Sequence, residues 1–171
     1  TYNFNHGTQL AAVAGNTYNI TVTVTAAGDG NAANNDITFS TTALTQIPVK
    51  KTVGEEKTGT WCGWCQRGAV GLAYMEAQDE FIGIAVHNGD AMTVSAYDGA
   101  LGTYIPGGYP GGGVDRVLDG DPNPNSFLAM HNQRKTTIVP CDVKNIVATL
   151  NTTTNQISVS ADSEWFGSIP G

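Results

Sequence analysis

The chain has 171 residues, a formal net charge of −7 with only eight Lys and Arg, and three cysteines. This length can bury a hydrophobic core, and the acidic balance disfavours nucleic acids and anionic membrane surfaces as partners. Three cysteines are too few for a disulfide scaffold, and the apolar runs are too short for a transmembrane helix.

The first predicted element is a β-hairpin. In NTYNITVTVT (16–25) apolar and polar residues alternate, the turn cluster AAGDGNAANND follows, and a second strand is expected around Ile37 and Phe39. Two strands alone are only marginally stable in water. Residues 1–44 are therefore predicted to be the end of an Ig-like or β-sandwich domain.

Residues 45–135 are predicted to form an α/β domain. The segment IPVKKTVGEE (47–56) indicates a strand, and a helix follows in which Val70, Leu72, Ala73 and Met75 share one face. FIGIAVHNGD (81–90) is typical of a strand buried on both faces of a parallel sheet. A short helix in TVSAYDGALGTY (93–104), a strand over 114–118 and a helix with Ser126 as its N-cap complete this domain.

The last element is again a β-hairpin. NIVATLNTTTNQISVSA (145–161) places Ile146, Ala148 and Leu150 opposite Ile157, Val159 and Ala161, which are joined through a Thr/Asn turn. Residues 136–171 are predicted to begin another β domain. Because the chain starts at Thr1 and trails off in WFGSIPG, we expect it to be a piece of a longer or processed protein.

The segment GTWCGWCQRG (59–68) contains two cysteines separated by two residues, between a predicted strand and a predicted helix. At or near the helix N-terminus, unpaired N–H groups and the macrodipole favour a thiolate, so the pKa of Cys62 is expected to fall below its free value. The spacing lets Cys65 reach back and close a small disulfide. Trp61 would shield one side and offer an apolar surface to a substrate.

This segment, TWCGWC after a strand, resembles the thioredoxin superfamily, whose usual motif is Trp-Cys-Gly-x-Cys. The family keeps a buried carboxylate six residues before the first cysteine, a position held by Glu56, and a cis-proline beside the cysteines, for which Pro110 is the candidate. The phrases EEKTGTWCGWC, IAVHNGD and GYPGGGVDR resemble most closely the exported or outer-membrane-associated, Omp-related thioredoxin-like proteins of Gram-negative bacteria. The resemblance covers residues 47–135.

The resemblance implies an exported thiol–disulfide oxidoreductase acting on protein or peptide thiols. Cys62 would be the nucleophile, Cys65 would resolve the mixed disulfide, and Glu56 would relay the proton. The substrate groove would be framed by Trp61, Trp64, Tyr109 and Pro110. No cofactor beyond the Cys62–Cys65 disulfide is expected, since electrons would come from a partner protein or a small thiol. The implied location is secreted, periplasmic or outer-membrane-associated.

Some positions depart from the family pattern. Trp64 stands where reducing thioredoxins have Pro and oxidising isomerases have His, so the direction of electron flow stays open. Gln66 stands where many relatives have proline. Tyr109 is bulkier than the usual Thr, Val or Ile before the cis-proline and would narrow the groove.

Other readings of these residues remain open at the level of sequence. The cysteine pair could be a structural disulfide in a cell-surface binding or adhesion module that uses a thioredoxin-like scaffold. A copper carrier could use both cysteines with His87, although the chain shows no second paired spacing for a structural zinc site. Glu55 could take the place of Glu56. Cys141 is predicted to be a buried small hydrophobe, with a resolving role as its alternative.

Overall fold

The computed structural model describes residues 6–167 of the chain. The chain divides into two compact units, of which one is Val49–Ile138 and the other comprises the segments on either side of it. The central unit, Val49–Ile138, holds the Cys-x-x-Cys segment. The assignment of the flanking segments to β-sandwich domains stays a prediction.

The central unit is a mixed four-stranded sheet with three helices, which confirms the predicted α/β class. The elements in chain order are β3 (Thr52–Thr58), α1 (Gln66–Glu76), β4 (Phe81–His87), α2 (Ser95–Tyr104), β5 (Gly111–Val114), β6 (Leu118–Gly120) and α3 (Pro124–Lys135). The strands lie in the order β4-β3-β5-β6; β3 and β4 are parallel, and the other neighbouring pairs are antiparallel. This arrangement is consistent with a thioredoxin-like fold that carries extra hairpins.

The core of this unit consists of two clusters, one on each face of the sheet. The first packs α1 and α3 on one face and contains Leu72, Met75, Val114, Phe127 and Met130. The second packs α2 on the other face and contains Val86, Leu101 and Ile105. Because successive side chains of a strand point to opposite faces, neighbouring residues of β3 enter different environments.

The predicted strand around 81–90 exists, but the expectation that both its faces are buried is wrong. In β4 only Val86 is buried, and Ile82 is 45% exposed. Within residues 6–167, β4 pairs with β3 alone and ends the sheet. An edge strand has a neighbour on one side only, so a continuous apolar run does not ensure burial.

The helices also differ in detail from the prediction. The buried side of α1 consists of Gly68, Gly71, Leu72 and Met75, whereas Val70 is 59% exposed. Asn123, not Ser126, is the N-cap of α3, since its side-chain oxygen accepts a hydrogen bond from the Ser126 N–H at 3.0 Å.

The flanking unit contains the two predicted hairpins. The first pairs β1 (Thr17–Thr23) with β2 (Asp36–Thr42), joined through a short 3₁₀ turn at Ala32–Asn34, and the second pairs β7 (Cys141–Asn151) with β8 (Gln156–Trp165). In the second, Leu150 lies opposite Ile157 and Ala148 opposite Val159, which confirms that part of the predicted register. Cys141 is a free, partly buried cysteine on β7.

Candidate functional site

The two cysteines lie between β3 and α1 and are joined by a disulfide bond, with their Cα atoms 5.5 Å apart. The turn is fixed by hydrogen bonds from the Cys62 N–H to the Gly59 carbonyl (3.0 Å) and from the Cys65 N–H to the Cys62 carbonyl (3.3 Å). Cys65 is the N-cap residue of α1 and is 4% exposed, whereas Cys62 precedes the helix and is partly exposed. An incoming thiol or disulfide therefore reaches Cys62 more readily.

Glu56 points from β3 towards the first turn of α1 and is 1% exposed. Its side chain contacts Gly68 so closely that a Cβ atom there would collide with the carboxyl group. The Gly68 N–H donates to the Cys65 carbonyl at 3.0 Å, so the carboxyl lies beneath the turn that Cys65 begins. Among the described residues no hydrogen-bond partner reaches Glu56 Oε1.

Burial raises the pKa of Glu56 from its ordinary 4.5 to about 7, although the Thr58 side chain and the charge of His87 act in the opposite direction. An uncharged carboxyl is favoured because a buried carboxylate loses its hydration. With a pKa near neutrality, the group can both accept and release a proton at physiological pH. Glu56 therefore has the electrostatics of a proton carrier.

Glu55, the alternative to Glu56, points to the opposite face of β3, and both of its carboxylate oxygens accept hydrogen bonds. Its carboxylate accepts hydrogen bonds from the Arg116 guanidinium at 2.9, 3.0 and 3.2 Å and from the Tyr97 hydroxyl at 2.5 Å. Arg116 also lies over the rings of Tyr97 and Tyr104, 5.2 and 5.1 Å from their centroids. Glu55 is thus part of an ion pair that attaches α2 to the sheet.

Trp61 and Trp64 flank the cysteines but differ in their surroundings. The Trp61 indole N–H donates to the Asn88 carbonyl at 2.6 Å, and its ring lies edge-on to Tyr109 with centroids 5.1 Å apart. Trp64 is 78% exposed. The Trp61 ring is therefore held by Asn88 and Tyr109, while Trp64 presents its ring to solvent.

The peptide bond between Tyr109 and Pro110 is cis and leads directly into β5, which pairs with β3. The Tyr109 hydroxyl donates to Asp98 at 3.2 Å. Burial, reinforced by the charge of Asp98, raises the pKa of Tyr109 above its ordinary value. The structure thus places the Tyr109 ring against the Trp61 ring. It separately places the Glu56 carboxyl beneath the helix turn that begins at Cys65.

His87 and Asp90 support the loop that carries the cysteines. His87 Nδ1 lies 2.7 Å from Asp90 Oδ2, and the same carboxylate accepts the Thr60 N–H at 2.8 Å. The hydrogen bond with His87, together with those from the Thr60 and Met92 N–H groups, lowers the pKa of Asp90 to about 2. Within residues 6–167, no three His, Cys, Asp or Glu side chains are grouped so that they could hold a metal ion.

Sequence reasoning missed several residues that shape this region, above all Lys57, Asp90 and Asp98. A signal for the first was present, since Lys57 directly follows Glu55 and Glu56, the two charged residues that end the predicted strand, and the strand in the structure includes all three. Charged residues are almost never fully buried unless they are paired. A buried strand with three of them must therefore place each against a specific partner or leave it for chemistry.

None of the helices formed by residues 6–167 combines the length and the apolar character needed to cross a membrane.

Comparisons with known proteins support the fold. No family model matches the chain, and no curated protein matches it. Among solved structures, the chain is similar to HBP35 of Porphyromonas gingivalis, with 22% sequence identity and a TM-score of 0.52. The similarity covers 68% of this chain and 43% of that one, so the chain corresponds to less than half of the HBP35 structure. At this level of identity, the likeness is evidence for a shared fold alone.

Proposed function

We propose that the Val49–Ile138 unit is a thioredoxin-like thiol–disulfide oxidoreductase that exchanges disulfides with protein or peptide thiols. Cys62 is the nucleophile and Cys65 the resolving cysteine, which matches their partly exposed and buried positions. Glu56 carries the proton of Cys65. Trp61, Trp64, Tyr109 and Pro110 frame the substrate.

The chemistry needs two electrons and no further cofactor. In the reducing direction, the Cys62 thiolate attacks a substrate disulfide, forms a mixed disulfide and releases one substrate thiolate, which takes a proton from water. Cys65 then gives its proton to Glu56 and attacks the Cys62 sulfur, which releases the second substrate thiolate; this thiolate takes the proton from Glu56. The protein disulfide and two substrate thiols result. The oxidising direction is the same sequence reversed, with Glu56 protonating Cys65 as it leaves.

The observation that carries this proposal is the buried carboxyl of Glu56 under the turn that begins at Cys65, whose Oε1 has no hydrogen-bond partner among the described residues. A disulfide that serves only to stabilise a fold has no use for such a group. Burial destabilises the ionised form more than the hydrogen bond with the Thr58 side chain stabilises it, and strongly perturbed acids concentrate at functional sites. The neighbouring Glu55 is buried as well, but its carboxylate forms an ion pair with Arg116.

The proposal extends to location and partners by way of the sequence resemblance. An exported chain, in the periplasm, at the outer membrane or secreted, meets a redox environment in which cysteine pairs form disulfides. Charged residues make up 13% of the chain, against roughly 25% in average soluble domains. The expected partners are protein or peptide thiols and a second redox protein that returns the Cys62–Cys65 pair to its starting redox state.

The deciding measurement is the equilibrium reduction potential of Cys62–Cys65, titrated against glutathione buffers with thiol trapping. We expect a value between about −270 and −120 mV, the range of exchange catalysts. A value below about −300 mV, typical of structural disulfides, would contradict the proposal and favour the binding-module reading.

A trapping experiment tests the assigned roles. With Cys65→Ala, the mixed disulfide between Cys62 and a peptide cannot be resolved and should accumulate in a mass spectrum. With Cys62→Ala as the matched variant, no such adduct should form, because Cys65 is buried. Equal trapping by the two variants would contradict the assignment of Cys62 as the nucleophile.

A further inference from the structure

Lys57 is a buried cation beside the site that the proposed mechanism does not use. It follows Glu56 on β3, points to the α2 face of the sheet and is 5% exposed. Its ammonium donates to the Ile105 carbonyl at 3.0 Å and to the Gly107 carbonyl at 2.9 Å, and lies 4.8 Å from the centroid of the Tyr109 ring. All three partners belong to one segment, residues 105–109, between α2 and the cis-proline.

The ammonium depends on this segment for its stability in the interior. Among the ion pairs of the described residues, none involves Lys57. A buried charge is tolerated only when hydrogen bonds replace its lost hydration. The two carbonyls and the aromatic face supply that replacement, because charge-assisted hydrogen bonds and cation–π contacts are strong in a desolvated site.

The segment, in turn, has few other attachments. Its sequence is IPGGY. Ile105 is buried, but Pro106, Gly107 and Gly108 are exposed, and a Cβ at either glycine would meet nothing within 4 Å. Gly107 has a φ of +86°, a conformation suited to glycine. Such a chain loses much conformational entropy when it is fixed, so the Lys57 anchor on its backbone, together with the hydrogen bond from the Tyr109 hydroxyl to Asp98, decides where Tyr109 lies.

Tyr109 is the point at which this anchor reaches Trp61, the residue before Cys62. Its ring contacts the Lys57 ammonium and, edge-on, Trp61, while Pro110 follows it through the cis bond. Displacement of residues 105–109 therefore moves the ring that packs against Trp61, and both rings belong to the substrate groove of the proposed function. It leaves the disulfide and Glu56 in place, because both belong to the α1 side of β3.

We propose that Lys57 is the positioning residue that sets the peptide-binding groove beside Cys62, by holding residues 105–109 against the sheet. The inference rests on the proposed oxidoreductase function and adds a division of labour to it. Reaction with a small disulfide needs Cys62, Cys65 and Glu56 alone. Reaction with a peptide also needs the groove, and therefore Lys57.

The test compares two substrates with the same leaving group on the fully reduced protein. One is the mixed disulfide of 2-mercaptoethanol with thionitrobenzoate, and the other is that of a ten-residue peptide with one cysteine. In each reaction the protein forms its disulfide and releases one thionitrobenzoate and one other thiol. The rates are measured for wild type, Lys57→Met, Lys57→Arg and, as the matched control, Lys51→Met, which alters an exposed lysine directly before β3.

We expect Lys57→Met to raise KM and lower kcat/KM for the peptide by about tenfold to a hundredfold, as misplacement of a binding group does. Its rate with the mercaptoethanol disulfide and its equilibrium constant for oxidation by glutathione should each stay within about twofold of wild type. Lys57→Arg keeps the charge and the donors and should recover most of the peptide rate. Lys51→Met should match wild type with both substrates.

The outcomes separate this inference from the proposed function. A wild-type protein that reacts with neither substrate refutes the oxidoreductase function itself. An active wild type whose Lys57→Met variant slows both substrates equally, or neither, refutes only the role of Lys57. If Lys57→Met does not fold, Lys57→Gln, which keeps a donor, takes its place. Failure of Met, Gln and Arg variants alike to fold would mean that Lys57 supports the whole domain, which also overturns the inference.

Discussion

The buried carboxyl of Glu56 should make the stability of the oxidised protein depend on pH in a defined direction. The folded state holds the proton up to a pKa of about 7, whereas the ordinary pKa is 4.5. Between these values the folded state binds more protons than the unfolded chain, so stability falls as pH rises. The contribution of Glu56 to the free energy of unfolding is fully present below pH 4.5 and is lost as the pH rises through about 7.

The size of the effect follows from the two pKa values. At roughly 1.4 kcal/mol per pH unit, the interval from 4.5 to about 7 corresponds to about 3 kcal/mol. For a domain with a total stability of about 5–15 kcal/mol, this is a large fraction. Glu56→Gln removes the titrating group and keeps a similar shape. Burial of the amide costs free energy of folding, but this cost does not vary with pH.

The assay is urea unfolding of the oxidised proteins at intervals from pH 4 to pH 8.5. The difference in free energy of unfolding between Glu56→Gln and wild type should shift in favour of the variant by about 3 kcal/mol across this range. Glu76→Gln removes an exposed carboxyl from the same domain and should run parallel to wild type. The shift should persist in 1 M salt, because burial is its main cause and salt screens buried groups weakly. A variant whose curve runs parallel to wild type at every pH would refute the reasoning.

Three further predictions follow from the packing and the hydrogen bonds. Gly71→Ala places a Cβ against a backbone carbonyl of the loop before α3 and should lower the free energy of unfolding by about 1–3 kcal/mol. Gly102→Ala, at an open position of α2, should raise it by up to about 1 kcal/mol. Urea unfolding measures both changes, and the same sign for the two variants would contradict the packing. The lowered pKa of Asp90, about 2 against its ordinary 3.8, gives stability that is present above pH 3.8 and lost as pH falls to 2. Acid unfolding followed by tryptophan fluorescence should show that this loss is missing in Asp90→Asn, and identical acid transitions would speak against it. Trp61→Phe loses the indole hydrogen bond to the Asn88 carbonyl and should lower the free energy of unfolding by about 1 kcal/mol; no change would mean that this bond is not made in solution.

Local patterns made much of the fold predictable. The period-two alternation identified both hairpins, because a two-stranded ribbon separates polar from apolar residues on its two faces. The cysteine spacing between a strand and a helix identified the class of the central unit. Glu56 and Pro110 were located through the resemblance to a family; composition and periodicity alone would not have distinguished Glu56 from Glu55.

The predictions that failed concern residues whose contacts are distant in sequence. The apolar run of β4 does not reveal that the strand ends the sheet, so its exposure could not be read from the run itself. The buried side of α1 is built partly from Gly68 and Gly71, which periodicity counts as neutral, and not from Val70. Lys57 escaped notice because its partners are backbone carbonyls about fifty residues later, and a carbonyl has no signature in the sequence.

The alternation of side chains along β3 gives protein engineers two independent controls. Glu56 faces the helix that carries Cys65, and Lys57 faces the segment that carries Tyr109, although one peptide bond joins the two residues. Changes around the first should alter how readily a proton moves, and changes around the second should alter which chains fit. If the proposed function holds, a library that varies residues 105–109 changes the substrates while the redox chemistry stays constant, and a library around Gly68 does the reverse.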